Sequence, residues 1–313
     1  MEKKVRGAAT FPPDPPAAPG PGSGTNAYTA AGKTGTKAGV KTGDPARKAI
    51  LVVSFGTSHN VTRARTIDAL EAAIAAAYPE YEVHRAFTSG MIIDKLKKRD
   101  GLVIKNVEEA MQDLIARGVG TLLVQPTHII NGLEFNEMMA DIEPYEDNFA
   151  AIFYGRPLLS TTEDYFMLID AFKTEIAPAP VTPSAETAFL LMGHGTDHYA
   201  NASYPALDYT FKERGLENVY VGAVEGYPGL DHIIPALKAG GYSKIILQPL
   251  MIVAGDHAVN DMAGEEESSW KSKLEAEGFT VECILRGLGE YTAIHDLYIK
   301  HIAAAAGLPA KKQ

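Results

Sequence analysis

Ala49-Ile50-Leu51-Val52-Val53-Ser54-Phe55-Gly56-Thr57 and, in the second half of the chain, Ala188-Phe189-Leu190-Leu191-Met192-Gly193-His194-Gly195-Thr196 decide the fold. Each is a continuous apolar run, rich in branched residues and broken by a glycine turn. That pattern marks a strand buried on both faces of a parallel sheet, because a half-exposed strand would alternate. After the first run, Ile67, Leu70, Ile74 and Ala77 recur at helical spacing. Further strands are expected at 81–87, 121–126 and 151–154, with helices at 107–116 and 165–172. The second half restarts the programme with strands at 218–225, 243–249 and 280–285. Strands alternating with helices imply right-handed βαβ units around a mostly parallel sheet.

The halves also match in detail. Phe55-Gly56-Thr57-Ser58-His59 aligns with His194-Gly195-Thr196-Asp197-His198, and the run Gln125–Glu134 aligns with Gln248–His257. Two matches in the same order indicate an internal duplication. The chain therefore divides into a Pro/Gly-rich, disordered tail at 1–48, an α/β domain at 49–180 and a second at 181–313, joined near Ala177–Pro183. Ligands of open α/β sheets sit beyond the carboxyl ends of the strands, so the expected site is a cleft between the two domains.

Charge narrows the function. The chain carries a net −10, but residues 1–48 hold eight Lys/Arg against three acidic residues, so the rest is at −15. An acidic body is a poor general phosphate binder, which argues against nucleic acid as a partner. No apolar run is long enough to span a membrane, and no phosphate loop of the G-x-x-x-x-G-K-[ST] type is present. The single Cys283 cannot by itself build a thiolate metal site. The charged start Met1–Arg6 is followed by a run that Pro12 and Pro13 break, which does not read as an export signal, so a cytoplasmic location is expected.

The asymmetry between the halves carries the chemistry. Just past three successive strands of the second half stand His194, Glu225 and His257, where the first half has Phe55, Ser89 or a neighbour, and Glu134. Two imidazoles and a carboxylate converging on one sheet edge can bind a divalent first-row ion and leave coordination positions open. A strand-end histidine also serves as a structural hydrogen-bonding residue, and Glu225 as a helix cap. The pattern alone leaves a metal site, an acid/base site and these structural roles open.

Five motifs go further. Ile50–Thr57 (ILVVSFGT), Gln125–Gly132 (QPTHIING), Met192–Thr196 (MGHGT), Val224–Pro228 (VEGYP) and Gln248–Ala258 (QPLMIVAGDHA), in this order, resemble the CbiK-type anaerobic cobaltochelatases of the class II chelatases. The resemblance runs from about Ala49 to the C-terminal region. It implies two similar flavodoxin-like α/β domains and ATP-independent insertion of Co²⁺ into sirohydrochlorin, or at the precorrin-2 stage, on the anaerobic route to cobalamin. It implies that His194, Glu225 and His257 hold the metal and are joined in catalysis by Glu134, which handles protons or delivers metal from the opposite domain. Glu134 also fits a plain helix N-terminal carboxylate. The same fold loading Fe²⁺ or Ni²⁺, a non-catalytic tetrapyrrole or metal carrier, and a two-lobed solute-binding protein are the rival readings, and a homo-oligomer is compatible with the sequence. An octacarboxylate substrate sits awkwardly with a body at −15. Arg63, Arg65 and Arg85, with backbone N–H groups at Gly56–Ser58 and Gly195–Asp197, are the candidate contacts, and the negative charge is expected on the outer helices. His198 and His59 read as structural residues, and Cys283 as a poor nucleophile.

Overall fold

The computed structural model describes residues 33–34, 42–177 and 186–309. The first half contributes strands β1 (Lys33–Thr34), β2 (Asp44–Ser54), β3 (Glu82–Phe87), β4 (Val119–Pro126) and β5 (Ala151–Tyr154). Its helices are α1 (Asn60–Arg65), α2 (Ile67–Ala77), α3 (Gly90–Asp100), α4 (Val107–Ala116), α5 (Leu133–Ile142) and α6 (Thr162–Ala171). The second half contributes β6 (Thr187–Gly193), β7 (Val219–Ala223), β8 (Lys244–Pro249) and β9 (Thr280–Cys283). Its helices are α7 (Ser203–Glu213), α8 (Leu230–Ala239), α9 (Trp270–Ala276) and α10 (Thr292–Ala306).

The first sheet runs β1-β5-β4-β2-β3 and the second β7-β6-β8-β9. Only the two-residue β1 is antiparallel, to β5; every other neighbour is parallel. Without β1 both sheets have one order, second-first-third-fourth, as an internal duplication of a doubly wound unit requires. The two deciding strands are central in their sheets, with neighbours on both sides and helices on both faces. That position is why Ala49–Ser54 and Ala188–Gly193 are buried without alternation.

Two details differ from the sequence reading. β2 begins at Asp44, five residues before the apolar run, because an exposed polar extension lies along β4 (Asp44 opposite Val119, Lys48 opposite Thr121) across a register shift. Gly120 makes that approach feasible, since a Cβ there would lie 2.2 Å from the Asp44 carbonyl carbon. The expectation of a disordered tail before residue 49 otherwise falls mostly on residues outside those described, as does the expected boundary at 180/181.

The halves also exchange their terminal helices. α10, from the end of the chain, packs on the first sheet: the Tyr298 hydroxyl donates to the Thr127 carbonyl (2.8 Å), and Tyr78 donates to the Ile299 carbonyl (3.1 Å). His301 of α10 reaches the Asp164 carboxylate (2.9 Å), which also closes the capping box of α6 with Thr161. Reciprocally, α6 continues into a π-helical turn, Phe172–Ile176, that packs on the second half. Phe172 meets Phe189 and Phe211 edge to face, and Gln248 Nε2 donates to the Ile176 carbonyl (3.2 Å). A single apolar cluster therefore joins both sheets, running from Ile50 and Val52 through Phe172 to Phe189, Val221 and Ile299.

Candidate metal centre

β6, β7 and β8 end level with one another: Gly193 pairs with Ala223, and Met192 with both Gly222 and Pro249. The loops that leave them rise from one edge, and the backbone stitches two together. Glu225 N–H donates to the His194 carbonyl (2.7 Å) and Val224 N–H to the Gly193 carbonyl (3.0 Å). Gly195, with φ at +90°, sits so close that a Cβ would lie 2.6 Å from the Glu225 carbonyl carbon. His257 opens a π-helical turn, His257–Met262, beyond β8.

These loops bring together the three residues that the sequence singled out. One ligand atom each from His194, Glu225 and His257 falls within a set whose members all lie within 4.8 Å of one another. The imidazole rings stand 4.6 Å apart at 89°, and His194 Nδ1 lies 3.9 Å from Glu225 Oε2. Donors bonded to a first-row ion at about 2.1 Å stand roughly 3–3.5 Å apart, so closure asks for about an ångström of side-chain movement. The side chains are 40 %, 58 % and 34 % exposed for His194, Glu225 and His257, open enough for an ion to enter and leave.

Hydrogen bonds fix both tautomers. His194 Nδ1 lies 2.9 Å from the Gly195 carbonyl and His257 Nδ1 lies 2.6 Å from Asp261 Oδ2. Carbonyl and carboxylate oxygens only accept, so each Nδ1 carries the proton and each Nε2 keeps its lone pair for coordination. Asp261 escaped the sequence reading, although its i+4 spacing from His257 was a signal that could have found it.

Glu134, in the first turn of α5, approaches from the other half. Burial pushes its carboxyl up from the ordinary value; His194 pulls it back, while Glu137 and Glu225 push it further up. Glu134 therefore lies close enough to His194 and Glu225 to feel their charges. Two contacts bridge the halves nearby: His59 Nε2 to Asp256 Oδ1 (2.7 Å), and Asn136 Nδ2 to His198 Nε2 (3.3 Å). The duplicated histidines His59 and His198 both hold the halves together. His128 lies apart, packed edge to face on Phe135, its ring nitrogens buried without a hydrogen bond and its pKa lowered by burial to about 4.

The three arginines suggested as carboxylate contacts fare differently. Arg85 is bound to Glu71 and Asp68, and Arg63 leans on Asn60 and Asp68, so both are engaged within the first half. Arg65 is exposed on α1. Conversely, large apolar side chains stand exposed in loops and first helical turns after the strands: Phe55, Met91 and Leu133 in the first half, Tyr199, Tyr227 and Val259 in the second. Periodicity could not reveal them, because those segments carry no long repeat.

Residues 48–307 match the family described as cobalt chelatase (CbiK). The chain belongs to that family. It is 39% identical over 266 residues to the sirohydrochlorin cobaltochelatase of Salmonella typhimurium, covering 85% of this chain and 99% of the relative. It is 35% identical over 264 residues to the sirohydrochlorin cobaltochelatase CbiKC of Nitratidesulfovibrio vulgaris, covering 83% and 90%. Among solved structures, SirB from Bacillus subtilis with Fe³⁺ superposes with a TM-score of 0.55 at 14% identity, covering 83% of this chain and 96% of that one. CbiX, the terminal enzyme of sirohaem biosynthesis in denitrifying bacteria, gives 0.50 at 17% identity, covering 82% and 99%. At these identities the structures speak for the chelatase fold alone. Among the described residues, no helix of this chelatase is long and apolar enough to cross a membrane.

Proposed function

We propose that the protein is a sirohydrochlorin cobaltochelatase in which His194, Glu225 and His257 hold Co²⁺, the substrate metal, before its transfer to the macrocycle. The observation that carries the reading is the convergence of these three side chains from successive strand ends, with Nε2 of both histidines left free. Neutral imidazole and carboxylate bind a borderline cation reversibly, whereas an all-thiolate site would retain it. The exposed apolar side chains of the strand-end loops offer surface for the flat ring.

Metallation exchanges two pyrrole N–H protons for one M²⁺. Burial raises the pKa of Glu134 above the ordinary carboxylate value, which favours it as a proton acceptor, and its place beside His194 and Glu225 lets that proton offset the charge of the departing ion. No step calls for a nucleotide. Donors of this kind follow the general affinity order of divalent ions, so the choice of Co²⁺ over Fe²⁺ or Ni²⁺ rests on the family. Sirohydrochlorin is the proposed substrate in preference to precorrin-2, on the strength of the relatives, and the cytoplasm is the proposed setting.

The test mixes purified protein, sirohydrochlorin and Co²⁺ and follows the visible spectrum. Wild type should outrun the spontaneous reaction, and His194→Ala or His257→Ala should fall back to it. A wild-type rate equal to the spontaneous one overturns the proposal.

A further inference from the structure

An acidic enzyme that takes an octacarboxylate needs cations where the substrate lies, and α3 carries several that are exposed. α3 follows β3 and so rises from the same edge of the first sheet as the strand-end loops. Its inner face, Ile92, Ile93 and Leu96, packs with Phe87 and Ile67 in a small apolar cluster that also takes in Val253, four residues before His257. Its C-terminal end is tied to the loop beyond β2, where Arg99 Nη2 donates to the Ser58 carbonyl (2.6 Å) and Asn60 donates to Asp100 (3.0 Å). The helix is thereby fixed against the segment Ser58–Asn60 and against Val253 of the loop that leads to His257.

The outer face is different. Met91, Asp94, Lys95 and Lys98, at helical spacing, are exposed and with Arg99 line an open depression of about 570 Å³. Several other cations are paired: Arg85 with Glu71 and Asp68, Lys105 and Arg117 with Asp113, Lys244 with Glu282. Lys95 and Lys98 have no carboxylate partner within ion-pair distance among the described residues, while Arg99 is held by Asp100. The Ser58 carbonyl that Arg99 holds precedes His59, whose Nε2 lies 2.7 Å from Asp256 Oδ1, next to His257.

We propose that Lys95 and Lys98 form a subsite for the peripheral carboxylates of the tetrapyrrole, with Met91 packing against its edge. The inference rests on the chelatase reading and adds to it the place where substrate charge is met. Free lysine ammonium groups at a cleft rim attract an anionic ligand and orient it, and the attraction is screened by salt.

The experiment is steady-state Co²⁺ insertion into sirohydrochlorin at low and high salt, for wild type, Lys95→Gln/Lys98→Gln and Lys95→Arg/Lys98→Arg, with titration of Co²⁺ alone into each protein. The glutamine variant should raise KM for sirohydrochlorin about tenfold, from about threefold per exposed ion pair. Its kcat and Co²⁺ affinity should stay within twofold, its salt dependence should flatten, and the arginine variant should restore KM. Wild-type insertion combined with an unchanged KM and salt dependence in the glutamine variant overturns this subsite and leaves the chelatase reading standing. Failure of the wild type to insert Co²⁺ overturns that reading, and the subsite falls with it.

Discussion

Replacing Asp261 tests how His257, proposed as a metal ligand, is aimed. Its carboxylate accepts from His257 Nδ1 at 2.6 Å across one turn of the π-helical segment, and it is His257's only hydrogen-bonded side-chain partner among the described residues. A hydrogen bond to a charged group is worth about 1.5–3 kcal/mol when buried. Here the two side chains are 34 % and 48 % exposed, so water can replace part of the interaction and about 1–1.5 kcal/mol is the reasonable share. That corresponds to roughly a tenfold change in an equilibrium constant. It sits at the low end of the 10–100-fold losses typical when the partner of a ligating histidine is removed. Asp261→Ala should therefore weaken Co²⁺ binding about tenfold in calorimetric titration. Asp261→Asn, whose amide oxygen still accepts from Nδ1–H, should stay within about threefold of wild type. Wild-type affinity in Asp261→Ala would refute the idea that this contact aims Nε2. An asparagine variant as weak as alanine would show that the charge matters and the orientation does not.

Other consequences are as direct. Glu134→Gln should slow insertion by tenfold or more while Co²⁺ affinity changes less than about threefold, because a positioned proton acceptor acts on the rate; an unchanged rate would reduce Glu134 to a helix-terminal carboxylate. Gly195→Ala combines a left-handed φ of +90° with a Cβ 2.6 Å from the Glu225 backbone. It should cost about 2–4 kcal/mol in stability, visible as a lower thermal midpoint, and should weaken Co²⁺ binding as the two loops part. For His128, burial lowers the folded-state pKa to about 4, below the unfolded value near 6.5. The unfolded chain therefore takes the proton first, and stability that is complete above about pH 6.5 is lost as the pH falls towards 4. His128→Leu should lose less stability than wild type between pH 7 and pH 5, by up to about 2 kcal/mol in denaturant titrations, and parallel losses would contradict a buried neutral imidazole.

The duplication was legible because both central strands are buried on both faces, so their apolar runs needed no tertiary context. The cluster was legible because a parallel sheet with level strand ends turns residues far apart in sequence, His194, Glu225 and His257, into neighbours. What depends on how surfaces meet was hidden. Nothing in the spacing of Tyr298 or Phe172 says that α10 closes the first sheet and the turn after α6 the second. Arg85 looked like a substrate contact, because a strand-end arginine carries no mark of the Asp68 and Glu71 carboxylates that fold onto it. The body at −15 looked hostile to a polycarboxylate, yet many of its carboxylates are bound to lysine and arginine while Lys95 and Lys98 stand free.

One Co²⁺ is expected to sit between His194, Glu225 and His257. Anomalous scattering at the cobalt edge from crystals soaked in Co²⁺ tests it without recourse to activity. A peak is expected about 2.1 Å from Nε2 of His194 and His257 and from a carboxylate oxygen of Glu225. A peak ligated by other residues, or none at these three, would contradict it.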